Sequence, residues 1–145
     1  HTGIAGGQEL DLRFEKKNKS LNQIIDMQRK KTGTLFKFCL QSAAIVGNKS
    51  IDEITRFGKL GEEIGLLFQL SDDFLDVSGS KKLVGKSIKK DKKKGKSTLI
   101  NYMGYKKSLR FSEKLKKKIL LNLKKHGKNA KDLINTIEFI QNRNF

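Results

Sequence analysis

Three observations predict an all-α fold. The sequence contains no proline, apolar residues return at three-and-four spacing through most of its length, and two Ser-x-x-Gln/Glu boxes stand just before apolar-periodic runs. The first box, Ser20 with Gln23, opens a helix whose stripe runs through Leu21, Ile24, Ile25, Gln28, Leu35, Phe36, Cys39, Leu40 and Ala43 until Gly47-Asn48 ends it. The second, Ser50 with Glu53, starts a long helix carrying Ile51, Ile54, Phe57, Leu60, Ile64, Leu67, Phe68, Phe74 and Leu75, expected to reach about Val77. Gly58, Gly61 and Gly65 lie within it. Each costs roughly 1 kcal/mol against alanine in an exposed helix interior, so three together imply close approach by a neighbouring helix or a ligand. Over 78–96 glycine and lysine replace the periodic pattern, which reads as a loop. A short helix from near Ser97 and two more, over about 107–125 and 130–142, complete the chain. Leu109, Leu115, Ile119, Leu120 and Leu123 form the apolar face of the longer one, and Leu133, Ile134, Ile137 and Ile140 that of the last. With no repeat and no separate linker, one helical unit is the simplest partition.

Composition narrows the class. The 145 residues carry 32 Lys plus Arg against 15 Asp plus Glu, a formal charge of +17, yet 36% are hydrophobic. That length allows one domain or part of one, and the apolar content is enough for a core, so the chain is not disordered, collagenous or a coiled-coil rod. Cys39 is the only cysteine, which excludes an intrachain disulfide and a cysteine-based zinc site and fits a reduced, cytoplasmic setting. No apolar run approaches the ~20 residues of a membrane span and no signal-peptide pattern occurs, so a soluble protein without a stable membrane anchor is expected. The opening His1-Thr2-Gly3-Ile4-Ala5-Gly6-Gly7 lacks an initiator Met and begins as if inside an element, so a fragment is expected.

The chemistry concentrates in Phe68-Gln69-Leu70-Ser71-Asp72-Asp73-Phe74-Leu75-Asp76. At 100° per residue, Gln69, Asp72, Asp73 and Asp76 occupy a sector about 100° wide on one helix face. Asp72 and Asp76 repel at i,i+4, and the helix C-terminus also disfavours anions, so something cationic should compensate. Oxygen-only ligands with no His or Cys nearby suit Mg²⁺, which is commonly shared with substrate phosphates. The plainer reading is a solvated acidic face. Beyond the strip, Gly85-Lys86 and Gly95-Lys96-Ser97-Thr98 set lysines beside permissive backbone, with Asp91 between them, as a phosphate cradle would. A P-loop is excluded, since its spacing requires glycine where Lys90 stands. Gln28, Lys31 and Thr32 share a face of the earlier helix and would form a second cationic lip. The charge alone is also compatible with a basic helical nucleic-acid-binding module, but arginine is scarce and aromatics lie in the apolar stripes rather than among the cations. A purely structural domain leaves three acids on one strip unexplained.

Taken together, Gly6-Gly7-Gln8-Glu9-Leu10-Asp11-Leu12, Lys31-Thr32-Gly33, the segment from Phe68 to Asp76, Gly85-Lys86, and Asp91 through Gly95-Lys96-Ser97-Thr98 resemble the ordered motifs of the trans-isoprenyl diphosphate synthases, most of all the bacterial farnesyl diphosphate synthase branch. The ending Gln141-Asn142-Arg143-Asn144 is similar to that family's basic C-terminus. The resemblance implies the C-terminal part of the isoprenoid synthase helical bundle. It implies three Mg²⁺ ions on an allylic diphosphate, with Asp72, Asp73 and Asp76 matching the second of two aspartate-rich regions and Asp91 an outer-shell aspartate. Lys31 and Lys86 match lysines that grip the allylic diphosphate, Lys96 matches a further lysine, and Arg143 falls in the basic ending. Thr32 and Gln69 match residues near the carbon where positive charge develops. Phe68 matches an aromatic beside the isopentenyl group. The implied reaction joins an allylic diphosphate to isopentenyl diphosphate, with farnesyl diphosphate as the expected product and geranylgeranyl or longer chains as the alternative; a homodimer is implied, and no nucleic acid.

One departure is large. The first aspartate-rich region should precede Gly6-Gly7, and Asp72-Asp73 is the only Asp-Asp pair in the chain. Residues 1–145 are therefore expected to be the C-terminal half of a single synthase domain, inactive alone. Helices without their partners should leave an apolar stripe open, expected between Ile51 and Leu75. Full burial of Ile64, Leu67 and Phe68 within these 145 residues alone would count against the truncation.

Overall fold

The computed structural model describes residues 3–15, 17–84 and 97–142, and all regular structure among them is helical. Helix α1 spans Gly3–Phe14, α2 Leu21–Gln28, α3 Thr34–Val46, α4 Ile51–Val84, α5 Leu99–Met103, α6 Tyr105–Lys124 and α7 Lys131–Asn142. Both capping boxes form. The Ser20 hydroxyl accepts from the Gln23 amide while the Gln23 side chain accepts from the Ser20 amide, at 3.3 and 3.0 Å. Ser50 and Glu53 make the same reciprocal pair at 3.3 and 3.1 Å, and the hydrogen bonds hold the Glu53 carboxyl below its ordinary pKa. After Val46 the chain turns through Asn48, at φ 50°, in the left-handed region that asparagine tolerates.

Two local departures from the sequence expectation stand out. The helix opened by Ser20 is not continuous: Arg29–Gly33 forms a π-helical turn between α2 and α3. The long helix does not stop near Val77 but continues to Val84, so 78–84 are helical rather than loop. A single glycine, Gly79, costs only about 1 kcal/mol, and lysine is both a good helix former and welcome near a helix C-terminus.

Helix α4 is the spine, and its glycines receive neighbouring backbone. A Cβ built on Gly61 would stand 2.5 Å from the Phe36 carbonyl oxygen, and one on Gly65 would stand 2.6 Å from the Gly33 Cα. The glycine cluster thus marks helix packing against α3 and the π turn. On its other flank α4 carries two apolar clusters. Leu60, Ile64 and Leu67 meet Ile119 and Leu123 of α6 and Ile137 of α7. Leu66, Leu70 and Phe74 meet Ile24 of α2 and Leu99 and Ile100 of α5.

The stripe expected open between Ile51 and Leu75 is open only at its start, where Ile51 is 82% exposed, and is largely covered further along α4. Ile64 and Leu67 are buried and Phe68 half-buried, because α6 and α7 fold back across α4. Further exposed apolar side chains lie on α3, where Phe38 is 66% and Val46 82% exposed, on α1 at Leu12 and on α7 at Phe139. On α6, Leu109 is 39% exposed while Ser108 and Ser112 are buried. Ser108 tolerates that position because its hydroxyl donates to the Leu99 carbonyl at 3.1 Å, tying α6 to α5.

The packing orders three glycines by cost. Gly61→Ala and Gly65→Ala each lower stability by about 1–3 kcal/mol or more, since a fixed backbone must move, against the ~1 kcal/mol an alanine would otherwise add to a helix. Gly58→Ala is tolerated far better, because the atoms it meets belong to the flexible Gln41 side chain. Urea unfolding of the three variants checks the order.

Candidate functional site

The π turn sets the site. Widening the helix at Arg29–Gly33 directs Lys31 toward α1 and Thr32 toward α4, which a regular helix would present on a different stagger. Lys31 Nζ lies 2.5 Å from Asp11 Oδ2, both groups partly exposed. The backbone can come that close because Gly7 lies against it: a Cβ there would stand 2.1 Å from the Lys31 nitrogen. Asp11 lies in the Gly6–Leu12 motif, and its partner is twenty residues away, beyond any local signal.

Facing the turn, α4 presents its polar strip. Thr32 Oγ1 donates to Gln69 Oε1 at 2.9 Å, and Gln69 Nε2 donates to Asp73 Oδ1 at 3.1 Å. Gln28 Nε2 donates to the other oxygen, Asp73 Oδ2, at 3.2 Å. Asp73 and Gln28 are 7% and 3% exposed, so this is an interior carboxylate clamped between two amides rather than a solvated acid. Gln28, expected on a cationic lip, is in fact the buried partner of Asp73. Its Oε1 finds no hydrogen-bond partner among the described residues.

Burial pushes the Asp73 carboxyl up from 3.8 to about 6, with Asp76 and Asp72 adding to the rise and the Gln69 and Gln28 hydrogen bonds opposing it. The strip geometry therefore holds, graded in depth: Asp73 is buried, Asp72 half-buried and Asp76 exposed. Phe68, one residue before Gln69, is half-buried with its ring 5.5 Å from Phe36 of α3. Lys86, Asp91, Lys96 and Arg143, the remaining candidates from the sequence, lie outside the described residues.

Among the described residues no group of three or more His, Cys, Asp or Glu is gathered closely enough to enclose a metal ion by itself. The donor set still fits Mg²⁺. It is all oxygen, it lies on one edge, and its like charges raise the Asp73 pKa in a way that a bound cation would relieve. Magnesium typically takes one or two carboxylates and completes its shell with water and phosphate oxygens, so an open acidic wall suits it better than a closed cage.

Comparisons with known proteins place the chain among its relatives. The chain is 36% identical over 102 residues to the farnesyl diphosphate synthase of Micrococcus luteus, covering 70% of this chain and 35% of that one. It is 33% identical over 144 residues to the geranylgeranyl diphosphate synthase of Cyanophora paradoxa, covering 99% and 48%. The crystal structure of geranyltransferase from Helicobacter pylori complexed with magnesium and isoprenyl diphosphate superposes with a TM-score of 0.75 at 25% identity, over 97% of this chain and 46% of that one. The chain thus spans about half the length of the relatives it matches, or less. With the pattern of the polyprenyl synthetases matching residues 1–140, the chain belongs to the polyprenyl synthetase family.

Proposed function

We propose that this chain supplies one wall of the active site of an isoprenyl diphosphate synthase, joining an allylic diphosphate to isopentenyl diphosphate. The observation that carries the reading is the relay from Thr32 through Gln69 to Asp73, closed from behind by Gln28. It locks a buried carboxylate beside two further acids, opposite a lysine on the π turn. The relatives' span supports residues 1–145 as the C-terminal half of one synthase domain, whose other half would contribute the first aspartate-rich region. Homodimerisation is carried over from the family resemblance. Farnesyl diphosphate is the proposed product, supported by the identity to the Micrococcus luteus enzyme; geranylgeranyl diphosphate is the second reading, favoured by the Cyanophora paradoxa enzyme, which aligns over nearly the whole chain.

In this reading Asp72, Asp73 and Asp76 would hold Mg²⁺, with Asp91 as the outer-shell aspartate that the family resemblance implies. Bound there, the ion supplies positive charge for the departing diphosphate oxygens. Lys31 adds a point charge from the other side; its ammonium has three donors, so a phosphate oxygen can share it with Asp11. Lys86, Lys96 and Arg143 would extend the same cationic rim. Thr32 spends its hydrogen on Gln69, which leaves its oxygen lone pairs to face the carbon on which positive charge develops. Gln69 holds Thr32 in that state because its amide nitrogen donates to Asp73, which turns its carbonyl oxygen toward the Thr32 hydroxyl as an acceptor. Phe68 contributes apolar surface beside the isopentenyl chain and helps to exclude water that would quench the cation.

Two measurements test this. In the intact synthase carrying this chain, supplied with isopentenyl and dimethylallyl or geranyl diphosphate and Mg²⁺, Asp72→Asn and Asp76→Asn each reduce prenyl-chain elongation by about 100-fold or more, and chelation abolishes it. Unchanged product formation in both variants would reject the assignment. The second measurement uses the raised pKa of Asp73. The native state holds this proton more tightly than the unfolded chain, so its contribution to stability is fully present below about pH 4 and lost as pH rises through about 6. In metal-free buffer Asp73→Asn is therefore more stable than the wild type at pH 7.5, by about 1–3 kcal/mol, and the gain vanishes near pH 4. Elongation activity falls in the same variant. Thermal unfolding at the two pH values, read beside the activity, distinguishes a carboxylate kept for chemistry from one kept for structure.

A further inference from the structure

The charge of +17 is not spread along the chain. Residues 1–84 carry thirteen Lys and Arg against eleven Asp and Glu, whereas residues 99–131 carry eleven against one, Glu113. A compositional preference for lysine acting everywhere would not leave the first 84 residues close to neutral. In α6, Ser108, Ser112, Ile119 and Leu123 face the core. The opposite sector presents Lys107, Arg110, Lys114, Lys117 and Lys124, all exposed, along a rod about 30 Å long. Leu121, 55% exposed, lies in the middle of that sector. Lys118 at its edge pairs with Glu63 of α4, while the buried Ile119 and Leu123 set the rotation of the helix.

This surface is separate from the acidic strip. Glu63 and Leu67, through which α4 meets α6, lie about 120° and 160° round α4 from Gln69. The basic sector points further outward again, so it plays no part in holding diphosphate at the site.

We propose that the outer face of α6 is a docking surface for the anionic headgroups of a lipid bilayer. Ten of the eleven cations between 99 and 131 are lysines, point charges suited to diffuse and laterally mobile phosphates, while the guanidinium forks that read nucleic-acid phosphates and bases are nearly absent. The apolar group at the centre of the face is a leucine, which an interface accepts, and not an aromatic on which a base could stack. Such binding is peripheral and reversible, held by Coulomb attraction and weakened by salt. It stands independently of the reaction proposed above.

Vesicle sedimentation tests it. The protein sediments with phosphatidylcholine vesicles containing about 30% phosphatidylserine at low ionic strength, stays in solution with phosphatidylcholine alone, and is released at about 0.5 M salt. The variant K114E/K117E/K124E loses about tenfold or more in partitioning. A matched reversal on other exposed positions, K17E/K49E/R56E, carries the same net charge and keeps binding within about twofold. Helicity by circular dichroism verifies that both triples fold, and elongation by the intact synthase is unchanged in the α6 triple. Equal loss in the two triples, equal binding to neutral vesicles, or release from vesicles by duplex DNA at equal phosphate concentration would each overturn the proposal, the last in favour of a nucleic-acid partner.

Discussion

Where α4 passes the π turn, Gly65 and Gly33 meet backbone to backbone, and one turn earlier Gly61 lies against the carbonyl of Phe36. Nothing larger than hydrogen fits at these contacts. The closeness has a chemical consequence: side chains as short as Thr32 and Gln69 span the gap with a 2.9 Å hydrogen bond, although 37 residues separate them. Gly7 does the same for α1, letting Lys31 reach Asp11. Helices held at an ordinary interaxial distance of about 8–10 Å would leave these polar groups to water, and the site would not be organised.

The interior of the site is polar against the general trend, and its parts compensate one another. Asp73 loses hydration on burial and sits near two like charges, which raises its pKa toward neutrality. Two amide donors offset part of that cost, one from α2 and one from its own helix. The same region holds the π turn and the orphaned Gln28 oxygen. Departures from the most stable local arrangement therefore cluster around one carboxylate, as expected where geometry serves binding and chemistry rather than stability alone.

Helix α4 separates the roles of the remaining surface. One side accepts α3 through glycines, one edge carries the acids, and the remaining flank buries leucine, isoleucine and phenylalanine against α2, α5, α6 and α7. Among the described residues no helix is long and apolar enough to cross a membrane. The strongly basic sector of α6 lies beyond the apolar flank, so negative and positive surfaces are kept apart by a layer of core.

The pattern of residues along the chain was sufficient for every feature that depends on near neighbours. Both capping boxes, the stop at Gly47-Asn48, the apolar faces of α4 and α7, and the common edge of Gln69, Asp72, Asp73 and Asp76 all follow from spacings of three or four. The order of the motifs added the family. What depends on distant partners was not legible. The π turn, the clamp of Gln28 on Asp73, the pairing of Asp11 with Lys31, and the exchange of Leu109 for Ser108 in the α6 core each arise from a contact between separate helices. The covering of Ile64 and Leu67 by α6 and α7 is of the same kind. Helical periodicity states which face of a helix is apolar or charged; it is silent on which helix will lie against that face and how closely, because that is set by shape and hydrogen-bond satisfaction across tens of residues of chain.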